Sequence, residues 1–154
     1  MERIKHVLAV LLLVLVVKAE AQHPAPSPVK WKPPKAHSFL GTYKDTVTLS
    51  VEDARQAVSK PLKVTDDKKA DYAIINYQCL YRRITVTEDE QTGKTMPATS
   101  QVVQTFKTTP LSDLWIKTIN EQLQPGEQIY FFDIVAKDAQ GLMFFAPSLL
   151  IIVK

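Results

Sequence analysis

The sequence predicts a mainly β domain carrying one or two short helices, and three features lead to that expectation. Residues 72–87 form a long run of branched and aromatic side chains, the types that suit a pleated surface. Residues 127–137 (EQIYFFDIVAK) are apolar at both alternating positions, as a strand covered on both faces reads. Between them, the segment after Thr109-Pro110 repeats apolar residues at helical spacing over several turns.

Taken in order, the chain opens on Arg3 and Lys5, then eleven apolar residues at 7–17 (VLAVLLLVLVV), then Ala19-Glu20-Ala21. That order predicts a signal peptide over 1–21, cleaved after Ala21, and hence a periplasmic or secreted protein. Eleven apolar residues fall short of the roughly 18 that span a bilayer, so no transmembrane segment is expected after cleavage. The whole chain carries +3, which becomes about +2 once Glu2, Arg3, Lys5, Lys18 and Glu20 are removed. Nucleic acid is therefore not an expected partner, since it calls for a dense basic stripe. Cys79 is the single cysteine and forms no internal disulfide. An apolar core must hold the exported domain together, with Cys79 expected inside it.

A proline-rich basic arm follows at 22–38, where Pro24, Pro26, Pro28, Pro33 and Pro34 are half of the ten prolines. Proline fixes φ and removes the amide donor, so the arm reads as an extended spacer. It also reads as a ligand for an aromatic groove, or, through Lys30, Lys32 and Lys35, as a contact to an anionic surface. The domain proper is expected over 39–154.

Within it, 45–51 (DTVTLSV) alternates as a half-buried strand does, with Val47, Leu49 and Val51 on one side. Ser50 is placed to cap a short helix over 51–58, which Pro61 ends, and 62–65 is expected to be a short strand. The run 72–87 exceeds the usual strand length, which predicts a bend or bulge near Arg82-Arg83. A polar turn at 88–94 with Gly93 leads to a returning strand within 99–106. Thr109 as N-cap and Pro110 at the first helical position then open a helix. Leu111, Trp115, Ile119 and Leu123 make its apolar stripe, flanked by Leu114 and Ile116. Pro125-Gly126 stops it, 127–137 is the doubly covered strand, 138–141 a hairpin connection, and 142–153 a last strand interrupted at Pro147.

Few residues suit catalysis. The histidines after the expected cleavage point are His23 and His37, in or beside the arm, away from any rigid position next to a nucleophile. No His/Cys spacing suits zinc. No cofactor and no metal are expected. The turn cluster Glu88, Asp89 and Glu90 reads as a solvated acidic loop rather than a carboxylate pair. Possible partner contacts are Arg82 and Arg83, one facing outward and the other toward the opposite face or a bulge, and Met143, Phe144 and Phe145 in the final hairpin.

The order of motifs at 123–154 resembles the C-terminal domain of the gliding-motility and type IX secretion protein GldM. Pro125, Gly126, Ile129, Asp133, Ile134, Ala136, Lys137, Gly141, Pro147 and Ile152 carry the resemblance, and 72–81 fits more loosely. It implies an immunoglobulin-like β-sandwich decorated by short helices, working without a cofactor among envelope proteins of the Bacteroidetes. The sequence departs from that family in showing no long anchor and no tandem β-domains, and Leu142 follows Gly141 where the family favours a basic residue. The motor-coupling role is therefore not expected to transfer. What is expected is a non-catalytic protein-binding module in envelope assembly, binding another envelope protein or itself. The alternative is a soluble ligand-binding or inhibitory protein using the aromatic hairpin.

Overall fold

The computed structural model describes residues 31–154. The expected signal peptide and most of the proline-rich arm lie outside the described residues. Strands are β1 (Ala36–Leu40), β2 (Tyr43–Lys44), β3 (Thr46–Leu49), β4 (Leu62–Asp66), β5 (Asp71–Glu88), β6 (Thr95–Phe106), β7 (Gln128–Lys137), β8 (Met143–Ala146) and β9 (Leu149–Val153). Helix α1 (Val51–Val58) lies between β3 and β4, and α2 (Asp113–Gln122) between β6 and β7. The described residues are thus mainly β with two short helices, the class the sequence predicts.

All nine strands belong to one sheet in the order β2-β1-β4-β5-β7-β9-β3, with β6 on β5 and β8 on β7. Strand β5 joins its two halves. Its first residues pair with β4, and from Tyr77 onward the same side pairs with β6, while β7 runs along the other side. The sheet curls into a near-barrel in which β1 comes close to β8 and β9. Residues of both halves, from Leu40, Leu62 and Val64 to Ile129, Phe131, Leu149 and Ile151, share one buried cluster.

The bend in β5 lies before the position the sequence predicts. Register shifts fall at Ile74/Asn76 and Asn76/Gln78, not at Arg82-Arg83. Across that bulge the core-facing side passes from Tyr72 and Ile74 to Tyr77, Cys79 and Tyr81. Directly across, Asp133 adopts a left-handed φ of 47°, so β7 also changes phase and buries Ile129 and Phe131, then Ile134 and Ala136. Gln78 Nε2 donates to Asp133 Oδ2 at 2.9 Å, tying the two irregularities together. Strand β7 is consequently buried on one face only. Its other face carries Tyr130 and Phe132, half-buried and stacked at 5.1 Å between ring centres.

Three boundaries also differ. The sheet begins at Ala36, inside the stretch 22–38 expected to be the arm and ahead of the first strand expected at 45–51, because Ala36, Ser38 and Leu40 face inward. The small Ala36 and the hydroxyl of Ser38 gave no apolar alternation to read. Strand β6 begins at Thr95, four residues before the expected start. Helix α2 begins three residues later than expected, with Ser112 as N-cap. Thr109 instead accepts the Leu62 N–H through Oγ1 at 2.5 Å and anchors the loop to β4.

Elsewhere the local signals hold. The Asp53 N–H donates to Ser50 Oγ at 3.1 Å, and that hydroxyl donates back to the Asp53 carboxylate at 2.6 Å, which caps α1. Asp89 accepts the N–H groups of Gln91 and Thr92 at 2.9 Å each. These bonds hold its carboxyl below the usual range and make it part of the turn. Pro147 separates β8 from β9 as expected. Among the described residues, no helix is long and apolar enough to cross a membrane.

Candidate functional site

Regular alternation after the bulge sends Arg82 and Arg83 to opposite faces of β5. Arg82 pairs across the sheet with Gln128 of β7 and Gln101 of β6. With Tyr130, Leu80 and Asp45 they line an open cleft of about 510 Å³, to which no helix among the described residues contributes a side chain. Arg83 points to the other side, where Tyr81, Val102, Leu114, Trp115 and Ile119 complete a narrower, mostly apolar groove of about 180 Å³ between α2 and the β5–β6 ribbon. Among the described residues neither guanidinium takes part in an ion pair. Arg83 Nε is buried without a hydrogen-bond partner. The sequence pair therefore marks two separate places.

The groove rests on a buried polar anchor that sequence reading passed over. Glu127 is 2% exposed. Its carboxylate accepts the Tyr81 hydroxyl at 2.5 Å, the Gln124 N–H at 3.1 Å and the Ile84 N–H at 3.1 Å. One side chain thus ties the α2–β7 turn to the point where β5 leaves the body of the sheet. Burial, then the bond to Glu127, pushes the Tyr81 phenol up, while the positive charges of Arg83 and Arg55 pull it the other way. Nothing in the sequence singles Glu127 out, because a charged residue after Pro-Gly looks like an ordinary turn.

Helix α2 forms the other wall. Leu111, Ile119 and Leu123 are buried, as the stripe predicts. Trp115, expected in the core, is half-buried. Its ring meets Phe106 edge-on at 5.4 Å, and its Nε1 donates to Gln104 Oε1. Leu114 faces out at 72% exposure.

Past Arg82, the partner of Gln128 at the start of β7, the hairpin of β5 and β6 is a two-stranded ribbon. Strand β6 is twelve residues long, pairs only with β5 among the described residues, and contains no charged side chain (TMPATSQVVQTF). Exposed edges are ordinarily blunted by charge, proline or bulges. Here Pro97, near one end, is the single such device. Val102 and Val103 are each about half exposed, facing the groove and the open face respectively.

The final hairpin divides. Met143 and Phe145 are exposed, whereas Phe144 packs edge-on against Tyr72 at 5.2 Å. Phe144 is therefore core and not a contact residue, since alternation in β8 turns it inward. Compared with known proteins, the sequence matches no family model and no curated protein.

Proposed function

We propose that this protein is a non-catalytic binding module that docks another protein by strand addition along β6, in the assembly of a cell-envelope structure. The observation that carries the reading is the uncharged twelve-residue edge of β6. A free edge offers a row of backbone donors and acceptors, which an extended segment of a partner satisfies. The predicted signal peptide and the GldM-like order of motifs at 123–154 supply the envelope setting.

The test is site-resolved crosslinking in the envelope of the producing cell. A photoreactive side chain at Val103 on β6 is expected to yield one discrete protein adduct, and the same group at Gln56 on α1 none. Recovery of free monomer from the Val103 position, or equal adducts from both, removes the reading.

A second reading has its own observation. The cleft of Arg82, Gln101, Gln128 and Tyr130 sets an aromatic ring beside planar polar groups, and Met143 and Phe145 stand exposed on β8, at the other end of β7. Both suit a soluble ligand-binding or inhibitory protein. A glycan array and a protease-inhibition panel test it, and blank results in both remove it.

A further inference from the structure

We infer that the groove between α2 and the β5–β6 ribbon selects the partner strand, taking one apolar side chain beside Val102 and a carboxylate two residues away that pairs with Arg83. This inference rests on the strand-addition reading and specifies what it would recognise. Three independent observations converge on it.

The first is register. Tyr81 pairs with Val102, and Arg83 with Ser100, across the ribbon, and Tyr81, Val102 and Arg83 line the groove. A strand added outside β6 would continue these two rows. Its residue beside Val102 faces the groove, and the residue two positions along, beside Ser100, faces the same way because side chains alternate with period two. The second is volume and lining. An apolar cavity of about 150 Å³ accommodates a benzene-sized group, and this groove holds about 180 Å³ among Val102, Leu114, Trp115 and Ile119. One large aliphatic or aromatic side chain fits, and it would cover Leu114 and Val102, both exposed in the free protein.

The third is charge. Arg83 Nε is buried without a hydrogen-bond partner, an arrangement that burial penalises. Ser100, the β6 residue paired with Arg83, and Ala98, two positions along, are both small, so β6 sets little side-chain bulk between Arg83 and an added strand. A carboxylate is the group whose geometry matches it. Of the two lysines just beyond the ends of β6, Lys107 adds to this preference at its end, whereas Lys94 shares its turn with Glu88, Asp89 and Glu90 and adds none.

The probe is a peptide, fluorescein-Gly-Gly-Thr-Asp-Thr-Leu-Thr-Asp-Thr-amide with the dye on its N-terminal amine, titrated to millimolar protein and followed by anisotropy. Two companions replace both Asp by Lys, or Leu by Gly. Two further companions carry N-methyl groups on alternate amides, one in each phase. The Asp/Leu peptide is expected to bind at least tenfold tighter than either substituted peptide. Arg83→Glu should reverse the order of the Asp and Lys peptides, Leu114→Glu should weaken the Asp/Leu peptide at least fivefold, and one N-methylated phase alone should abolish binding. Equal binding of all three side-chain variants, with loss on N-methylation, overturns the groove inference and leaves strand addition standing. Binding that survives both N-methylated phases, or no binding by any peptide, overturns the inference together with the edge reading. Circular dichroism of Arg83→Glu and Leu114→Glu confirms that a loss reflects recognition, and Leu114→Asn serves in place of a variant that fails to fold.

Discussion

Replacing Glu127 by Gln keeps size and shape but exchanges one acceptor oxygen for a donor amide. The carboxylate takes three donors, two at Oε2 (Tyr81 hydroxyl and Gln124 N–H) and one at Oε1 (Ile84 N–H). A carboxamide that keeps its oxygen at the first position turns its NH₂ against the Ile84 N–H. Turned the other way, it confronts the Gln124 N–H. In either orientation a buried amide loses its acceptor, at a cost of about 1–3 kcal/mol. Tyr81→Phe removes one donor and leaves the Gln124 N–H bonded, so it is expected to cost about 1–2 kcal/mol. Glu127→Ala strands all three donors and should cost about 3–5 kcal/mol, as for breaking a buried charged cluster. Urea unfolding followed by tryptophan fluorescence reads all three, and the order Ala, Gln, Phe in decreasing cost is the signature. Because Tyr81 and Glu127 share a bond, the double variant Tyr81→Phe/Glu127→Gln should cost less than the sum of the singles. A Glu127→Gln protein within 0.5 kcal/mol of the parent would refute the claim that this carboxylate anchors the turn to β5.

Three further outcomes follow from the packing. Phe144→Ala should cost about 3–5 kcal/mol, as for a fully packed ring, and Phe145→Ala less than about 0.5 kcal/mol; similar values in thermal unfolding would contradict the alternation in β8. Gly126 has a φ of 90°, and an added Cβ would lie 2.7 Å from Ile84 Cδ1, so Gly126→Ala should lose about 1–3 kcal/mol. Ile84→Ala in the same chain should restore part of that loss but not the strain of positive φ. Finally, burial raises the Cys79 thiol and the Tyr77 and Tyr81 phenols above their ordinary values. Groups raised in the folded state contribute stability below their unfolded values, and that stability is lost as pH rises through the window up to the folded values. The melting temperature should therefore hold to about pH 8 and fall progressively above about pH 8.5–10. Cys79→Ala should delay the onset of the fall toward the phenol range, and an unchanged onset would contradict the buried thiol.

Much of this fold was legible because its signals are local. Period-two alternation, the Ser50 cap, the Gly93, Gly126 and Gly141 turns and the apolar stripe of α2 each depend on residues a few positions apart. The bulges at Asn76 and Asp133 were not legible, because each is defined by its partner across β5 and β7. Before the pairing is known, Ile74, Ile75 and Tyr77 on one strand and Phe131, Phe132 and Ile134 on the other look like strands apolar on both sides. The same limit applies to the site. Arg82 and Arg83 could be picked out, and their opposite orientations anticipated. That Arg83 shares a groove with Leu114 and Trp115 depends on where α2 lies along the sheet. Glu127 stayed hidden because its three donors come from 81, 84 and 124, and only the folded chain brings them together.

Amide exchange along β6, with and without the Asp/Leu peptide at saturation, tests the central claim most directly. Strand addition predicts that alternate amides between Thr95 and Phe106, those turned away from β5, slow at least tenfold while exchange in β7 is unchanged. Unaltered β6 amides, or protection confined to residues 143–146, would contradict it.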